Sequence, residues 1–241
     1  MPVSPVAAPR SAGVRPRPAA VLVLVCGPLL AALVAVTVVA HGAPFGVDGP
    51  VHGWVMVHRP PWAARAAVAV TVTGSGVPAY LLAALAGALA VRARWWRGAL
   101  MGALALVSVQ LPRIAMASWL ARPRPPAADW AWTASGYAMP SGHTTTSAAV
   151  AVLLTAGVHR AVRGRARRAL LVLPALWAVA VGASRVYLGV HWPSDVLAGW
   201  LLASLWAGLL GTSSFSTGAA SPWTHDRQKS DRPKSDRPKV K

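Results

Sequence analysis

The stretch SRVYLGVHWPSD, residues 184–195, places an arginine, a histidine and an aspartate at the junction of two apolar segments. Those segments cover residues 168–187 and 193–211. An ionisable side chain is costly to hold at the edge of a membrane-length segment, and such residues usually serve a function. The stretch therefore predicts two membrane helices joined by a short turn that carries functional side chains.

The composition is that of a membrane protein. Hydrophobic residues make up 55% of the 241 residues and charged residues only 12%, about half the share usual in soluble domains. We therefore expect an all-α fold, a polytopic membrane helical bundle with six transmembrane helices, rather than a soluble enzyme. The other four predicted spans cover residues 19–40, 65–91, 98–120 and 143–159.

The six spans are expected to form one domain over residues 19–211. Residues 1–18, rich in Pro and Arg, are expected to be a disordered cytoplasmic N-terminus, and residues 212–241 a basic, low-complexity cytoplasmic tail. A cleaved signal peptide is the alternative for the first apolar run. That run is longer than the roughly 7–15 apolar residues of a signal peptide, which favours a retained span.

The basic residues follow the positive-inside pattern. With the N-terminus in the cytoplasm, eighteen of the 24 basic residues fall on the cytoplasmic side, before span one, after spans two and four, and in the tail. The net charge of +18 is then a topology signal and an anchor on anionic lipid, and nucleic-acid binding is not expected. This topology puts loop 121–142 and the turn at 185–192 on the extracytoplasmic face.

His191 and Asp195 are spaced to interact at the start of the last span. Pro193 suits the first turn of a helix, and residues four apart share one helix face. Asp195 is therefore placed to accept a hydrogen bond from one imidazole nitrogen, which leaves the other nitrogen free to attack an electrophile. The alternative is a His–Asp pair at the membrane boundary that serves structure alone.

The second cluster, Pro140-Ser141-Gly142-His143, immediately precedes an apolar run and predicts a helix start with Ser141 as N-cap. Free backbone N–H groups at a helix N-terminus bind phosphate, and Gly142 allows close approach of the backbone. His143 would then be placed to protonate a leaving oxygen. The alternative is an ordinary N-cap beside an interfacial histidine.

Arginines complete this set of residues. Arg124 and Arg185 carry guanidinium groups that match phosphate oxygens bidentately, and fixed cations stabilise the charge that phosphoryl transfer spreads over three oxygens. Arg122 is expected to be an outer-surface charge near lipid headgroups rather than a site residue.

These motifs resemble those of the type 2 phosphatidic acid phosphatase family, the membrane relatives of the vanadium haloperoxidases. The family pattern Ser-Arg-x5-His-x3-Asp is matched by residues 184–195 and Pro-Ser-Gly-His by residues 140–143. The resemblance covers residues 20–211 and implies a metal-independent, cofactor-free reaction. It implies that His191 is a nucleophile forming a phosphohistidine, Asp195 its orienting partner and His143 the general acid. The phosphate-binding residues that it implies are Arg124, Ser141, Gly142 and Arg185.

One family motif, Lys-x6-Arg-Pro, is incomplete. Arg124-Pro125 fits its end, but Ala117 stands where the lysine is expected. Arg113, one helical turn earlier, is an ionisable residue inside a span, and we expect it to replace part of the missing charge. The alternatives are that Arg113 only reaches water or that it pairs with Asp129.

The resemblance implies a membrane lipid phosphatase that acts on a lipid phosphomonoester or diphosphate at the outer leaflet. Polyprenyl diphosphate such as undecaprenyl diphosphate, phosphatidic acid and phosphatidylglycerol phosphate are the substrates it suggests. The alternative is a catalytically impaired relative that binds or moves phospholipid. His41, His52, His58 and Asp48 in the first outer loop follow no metal-binding spacing, so surface or interface roles are expected for them.

Overall fold

The computed structural model describes residues 18–216, which are helical with connecting loops. The predicted disordered N-terminus (to residue 17) and the tail from residue 217 lie outside the described residues. Within the described range the α-helices are α1 (Pro18–Val39), α2 (Asp48–Val57), α3 (Pro61–Val72), α4 (Gly76–Ala90), α5 (Trp95–Leu120), α6 (Gly142–Ala161), α7 (Ala166–Tyr187) and α8 (Pro193–Ser216).

Four of these helices, α1, α5, α7 and α8, are long and apolar enough to cross a membrane. The bent pair α3–α4 makes a fifth candidate if it is counted as one span. α6 occupies the predicted fourth span, but its first two turns carry histidine, threonine and serine, which lower its hydropathy. The all-helical membrane architecture is therefore confirmed, whereas the count of six spans stays a prediction.

The segment 65–91, for which the sequence predicts one span, is two helices that meet at an angle of 49°. The break falls at residues 73–75. A Cβ atom at Gly74 would overlap the side chain of Val181 in α7, so the chain passes α7 too closely for any other residue. Gly76 has φ +56°, a value that glycine adopts without strain. The chain therefore forms a turn at Gly74 and Gly76, where the sequence predicts a continuous helix.

Helices α4 and α5 pack backbone to backbone. A Cβ atom at Gly87 would overlap the carbonyl group of Gly98, and one at Gly102 would overlap the carbonyl oxygen of Ala83. Small residues allow such close approach in membrane helices, where van der Waals packing replaces the hydrophobic effect as the force between helices. Around this contact a core forms from buried residues of α4, α5, α6 and α8, including Leu106, Val150 and Trp206.

The polar motifs meet because their helices start or end at the same end of the bundle. α5 and α7 end there, and α6 and α8 begin there. The backbone N–H of Ser141 donates to the carbonyl oxygen of Asp195 at 3.1 Å, which joins the start of α6 to the start of α8. The predicted start of α8 at Pro193 and the predicted start of α6 beside Ser141 are both observed, although the Ser141 side chain makes no capping hydrogen bond.

We expect Gly102→Ala to destabilise the protein, because the added methyl group forces α4 and α5 apart. Overpacking of this kind costs about 1–3 kcal/mol, read as a lower midpoint of thermal unfolding in detergent. The matched control is Gly53→Ala in α2, where a Cβ atom has nothing within 4 Å. An unchanged midpoint for Gly102→Ala would contradict the close packing.

Candidate active site

A cavity of about 480 Å³ opens at the end of the bundle where the motifs meet. Its wall combines residues from the start of α4, from α5, from loop 121–141, from α6, from α7 and from the turn before α8. Five of the lining side chains are basic: Arg113, Arg124, His143, Arg185 and His191. Gly142 also lines the cavity, whereas the Ser141 side chain is fully buried and accepts a hydrogen bond from Thr144 at 3.0 Å.

The contacts of the two ring nitrogens define the tautomer of His191. Its Nε2 lies 2.7 Å from Nη1 of Arg124, and a guanidinium can only donate, so Nε2 is the unprotonated nitrogen and accepts this hydrogen bond. The proton is therefore assigned to Nδ1, which lies 3.4 Å from Oδ2 of Asp195, at the outer limit of a hydrogen bond. Asp195 thus faces the protonated nitrogen, and the nucleophilic nitrogen faces the arginine.

Burial keeps His191 neutral. Only 1% of its surface is exposed. Desolvation lowers the pKa of His191 to about 4, although Asp195 acts in the opposite direction. The imidazole is therefore uncharged near pH 7, and its Nε2 carries a lone pair rather than a proton.

Arg124 holds the loop in place around His191. Its guanidinium donates to the backbone carbonyls of Ser135, Gly136 and Tyr137 at 2.8–3.1 Å, and to that of Val190 at 2.8 Å. Desolvation lowers the pKa of Arg124 from its usual value. The fixed guanidinium places a positive charge directly against Nε2, where an anionic group would bind.

Arg185 supplies a second buried guanidinium with an unused donor. Its Nη1 donates to Oγ1 of Thr71 at 2.9 Å, and 2% of the residue is exposed. Its Nε has no acceptor among the described residues. An unpaired buried donor costs roughly 1–3 kcal/mol, and an anionic ligand in the cavity would satisfy it.

His143 contacts a residue that the sequence did not indicate. Its Nε2 lies 2.8 Å from Oγ of Ser75, in the turn between α3 and α4. Ser75 also lines the cavity. The available signal was the Gly-Ser-Gly sequence at residues 74–76, which interrupts an apolar run.

Arg113 lies in the cavity wall on the α5 side. Its Nε donates to Oε1 of Gln110 at 3.2 Å, and its Nη1 would be 3.5 Å from a Cβ atom at Gly142. The guanidinium therefore faces the start of α6. The alternative partner, Asp129, instead accepts a hydrogen bond from Nε2 of His52 at 3.0 Å.

The expectation that Arg122 is an outer-surface charge is wrong. The side chain is fully buried between two fully buried carboxylates, with Nη1 at 2.6 Å from Oδ1 of Asp195 and Nη2 at 2.8 Å from Oδ2 of Asp48. The backbone carbonyls of Gly42 and Ala43 accept further bonds at 3.3 Å. A buried arginine needs carboxylates that balance its charge and acceptors for its N–H groups. Both come here from segments that are distant in sequence, so no motif spacing indicates them.

Asp48 is likewise a buried residue of this region rather than a surface residue. Its carboxylate accepts hydrogen bonds from the backbone N–H and the hydroxyl of Ser194, at 2.9 and 2.6 Å. It therefore caps the first turn of α8, next to Asp195. Among the described residues, no three or more His, Cys, Asp or Glu side chains cluster as metal ligands would.

This architecture defines a class: a helical membrane protein with a cationic cavity built around a neutral histidine and a buried aspartate. The chain belongs to the PAP2 superfamily, whose model matches residues 94–216. The match begins after α4, so α1 to α4, with Asp48 and Ser75, lie outside it.

Individual proteins support the same assignment. Phosphatidylglycerophosphatase B of Bacillus subtilis is 30% identical over 150 residues, which are 61% of this chain and 73% of that protein. An undecaprenyl-diphosphatase of Sulfolobus acidocaldarius is 43% identical over 84 residues, which are 34% of this chain; the match spans only 35% of that protein's length.

A solved structure shares the fold. The crystal structure of a transmembrane PAP2-type phosphatidylglycerolphosphate phosphatase from Bacillus subtilis superposes with a TM-score of 0.69. The two chains are 25% identical, and the superposition covers 82% of this chain and 98% of the other.

We expect Arg122→Gln to destabilise the fold strongly, because it leaves two buried carboxylates facing each other without a cation. Removing one partner of a buried ion pair costs about 3–5 kcal/mol, measurable as a lower unfolding midpoint in detergent. Arg59→Gln is the matched control, because the half-buried Arg59 donates only to the backbone carbonyls of Tyr187 and Asp129. Equal losses of stability in the two variants would contradict the role of Arg122.

Proposed function

We propose that this protein is a metal-independent lipid phosphatase that works through a phosphohistidine at His191. The observation that carries the proposal is the geometry of that residue: a lone pair on Nε2 directed at a cationic cavity, and a carboxylate at Nδ1. Membership of the PAP2 superfamily supplies the reaction class, hydrolysis of a phosphoric ester or anhydride.

The proposed first step is phosphoryl transfer to the protein. Nε2 of His191 attacks phosphorus, and the bond between phosphorus and the leaving oxygen breaks. His143 donates a proton to that oxygen. Arg124, Arg185 and the backbone at Gly142 bind the three peripheral oxygens, where fixed positive charge stabilises the transition state.

The second step is hydrolysis of the intermediate. Water attacks phosphorus, the bond between phosphorus and nitrogen breaks, and the water proton passes to His143. The phosphorylated imidazole carries a positive charge while Nδ1 remains protonated. Asp195, 3.4 Å from Nδ1, stabilises that charge.

The proposed substrates are phosphomonoesters or diphosphates of membrane lipids. The named relatives support polyprenyl diphosphate and phosphatidylglycerol phosphate, and phosphatidic acid has the same headgroup chemistry. The proposed topology has six spans, cytoplasmic termini and the site at the outer leaflet. It is supported by Arg92 and Arg94 between α4 and α5, by Arg97 in the first turn of α5, and by the basic turn between α6 and α7. All of these lie at the end of the bundle away from the cavity.

We expect His191→Ala to abolish phosphate release and the labelled phosphoprotein, because it removes the ring nitrogen that contacts Arg124, whereas Nε2 of His143 contacts Ser75. The measurement is phosphate release in detergent from polyprenyl diphosphate, phosphatidic acid and phosphatidylglycerol phosphate, with an alkaline quench to preserve phosphohistidine. His58→Ala is the control, because that exposed histidine contacts the carbonyl and the ring of Trp54 and does not line the cavity. Undiminished release from His191→Ala would overturn the proposal.

Arg113 is proposed as the third phosphate-binding cation, in place of the lysine absent at Ala117. We expect Arg113→Ala to lower kcat/KM about 10- to 100-fold, the loss of a hydrogen bond to a charged group worth roughly 1.5–3 kcal/mol. Arg113→Lys, which keeps the charge, should retain most of the activity.

The control for Arg113 is Arg94→Ala, which removes an exposed cation at the opposite end of the bundle. Unchanged kcat/KM for Arg113→Ala would rule out this role. It would leave Arg124 and Arg185 as the arginines of the cavity wall that bind phosphate.

A further inference from the structure

A buried cluster of three charged residues lies beneath His191, and its charges do not cancel. Asp48 and Asp195 each carry one negative charge, and Arg122 between them carries one positive charge. All three side chains have 0% exposure, so water does not screen them. The cluster therefore has one net negative charge, which adjoins His191 at the carboxylate of Asp195.

Without Asp48, the same cluster would be neutral. Arg122 is closer to Asp195, at 2.6 Å, than Asp195 is to the imidazole, at 3.4 Å. A full positive charge on Arg122 would therefore oppose the effect of Asp195 on His191. Asp48 binds the other end of the guanidinium at 2.8 Å and offsets its charge.

The need for that negative charge is large, because the charged and imidazole side chains that share the cavity wall with His191 are all basic. Those that act on it or share the cavity wall are Arg113 of α5, Arg124 of the loop, His143 of α6 and Arg185 of α7. A phosphorylated, positively charged imidazole in this setting depends on the carboxylate side of the site.

We propose that Asp48 is a positioning residue for the reaction: it offsets the charge of Arg122 so that Asp195 can stabilise the cationic phosphohistidine at His191. This inference rests on the proposed function. Asp48 lies in α2, before the residues that match the family model, so the assignment concerns a part of this chain that the family match does not cover.

A second contact sets the orientation of the cluster. Asp48 accepts from the N–H and hydroxyl of Ser194, while Oδ2 of Asp195 accepts from the N–H of Trp192 at 2.8 Å. Both carboxylates therefore bind the first turn of α8, where the positive end of the helix dipole favours negative charge. Asp48 is held by the same backbone that carries Asp195.

The experiment compares Asp48→Asn, which removes the charge, with Asp48→Glu, which keeps it. For Asp48→Asn we expect kcat to fall about 10- to 100-fold with little change in KM, the effect of removing a unit charge from a buried cluster that adjoins the reacting imidazole. The steady-state fraction of phosphohistidine, measured with labelled substrate and an alkaline quench, should fall as well. The reason is that the loss of negative charge slows formation of the cationic phosphohistidine but does not slow its hydrolysis.

Gly102→Ala separates a loss of charge from a loss of stability. This variant overpacks α5 against α4, outside the buried cluster, and changes no charge. We expect it to lower the unfolding midpoint while the phosphohistidine fraction per folded active site stays at the wild-type value. Asp48→Glu should recover most of the phosphohistidine fraction that Asp48→Asn loses.

Several results would overturn the proposal. One is an Asp48→Asn protein with wild-type kcat and phosphohistidine fraction. Another is a loss of rate that only tracks the amount of folded protein. If neither Asp48→Asn nor Asp48→Gln folds while Asp48→Glu does, the role of Asp48 is structural. If wild-type protein forms no phosphohistidine at all, it is the proposed function that fails, independently of Asp48.

Discussion

The ion pairs of Arg122 join three segments that are far apart in sequence. Asp48 comes from the start of α2, Arg122 follows α5, and Asp195 lies in the first turn of α8. Burying one charge without a partner costs several kcal/mol, so these segments are held together once the core excludes water. The loop after α1, the loop after α5 and the turn before α8 must therefore adopt one mutual arrangement.

The cavity depends on that arrangement. Loop 121–141 leaves α5 at Ala121, passes through the buried Arg122, and then wraps its carbonyls around Arg124. Arg124 in turn contacts Nε2 of His191. Arg122 thus forms buried ion pairs in the protein interior, whereas Arg124, two residues later, lines the cavity. The loop therefore separates a cavity lined by basic side chains from the buried cluster of Asp48, Arg122 and Asp195, which has a net negative charge. His191 lies between the cavity and the cluster.

Much of the site was predictable because motif spacing reports local geometry. His191 and Asp195 share the face of one helical turn, and Ser141 precedes a helix that begins at Gly142. Arg124 and Arg185 are predictable because a guanidinium matches phosphate oxygens, and Arg113 because an ionisable residue inside a span usually serves a function. All three line the cavity. What spacing did not reveal was which arginine has which partner. Arg122 and Arg124 are two residues apart in a loop that has no regular secondary structure. The sequence therefore does not show which of the two side chains is buried and which lines the cavity.

The sequence by itself determined the membrane class, the approximate positions of the long helices, and most of the charged residues that line the cavity. These properties follow from apolar length, helical period and short motifs, which are local. Only the tertiary structure decided that α3 and α4 break at Gly74, that Ser75 contacts His143, and that Asp48 pairs with Arg122 beneath Asp195. Each of these contacts depends on two segments that are distant in sequence and approach each other across the bundle. Only three acidic residues precede the tail, so few carboxylates can pair with the buried arginines. The free-energy cost of burying a charge without a partner, rather than any local conformational preference, decides that Arg122 pairs with Asp48 and Asp195.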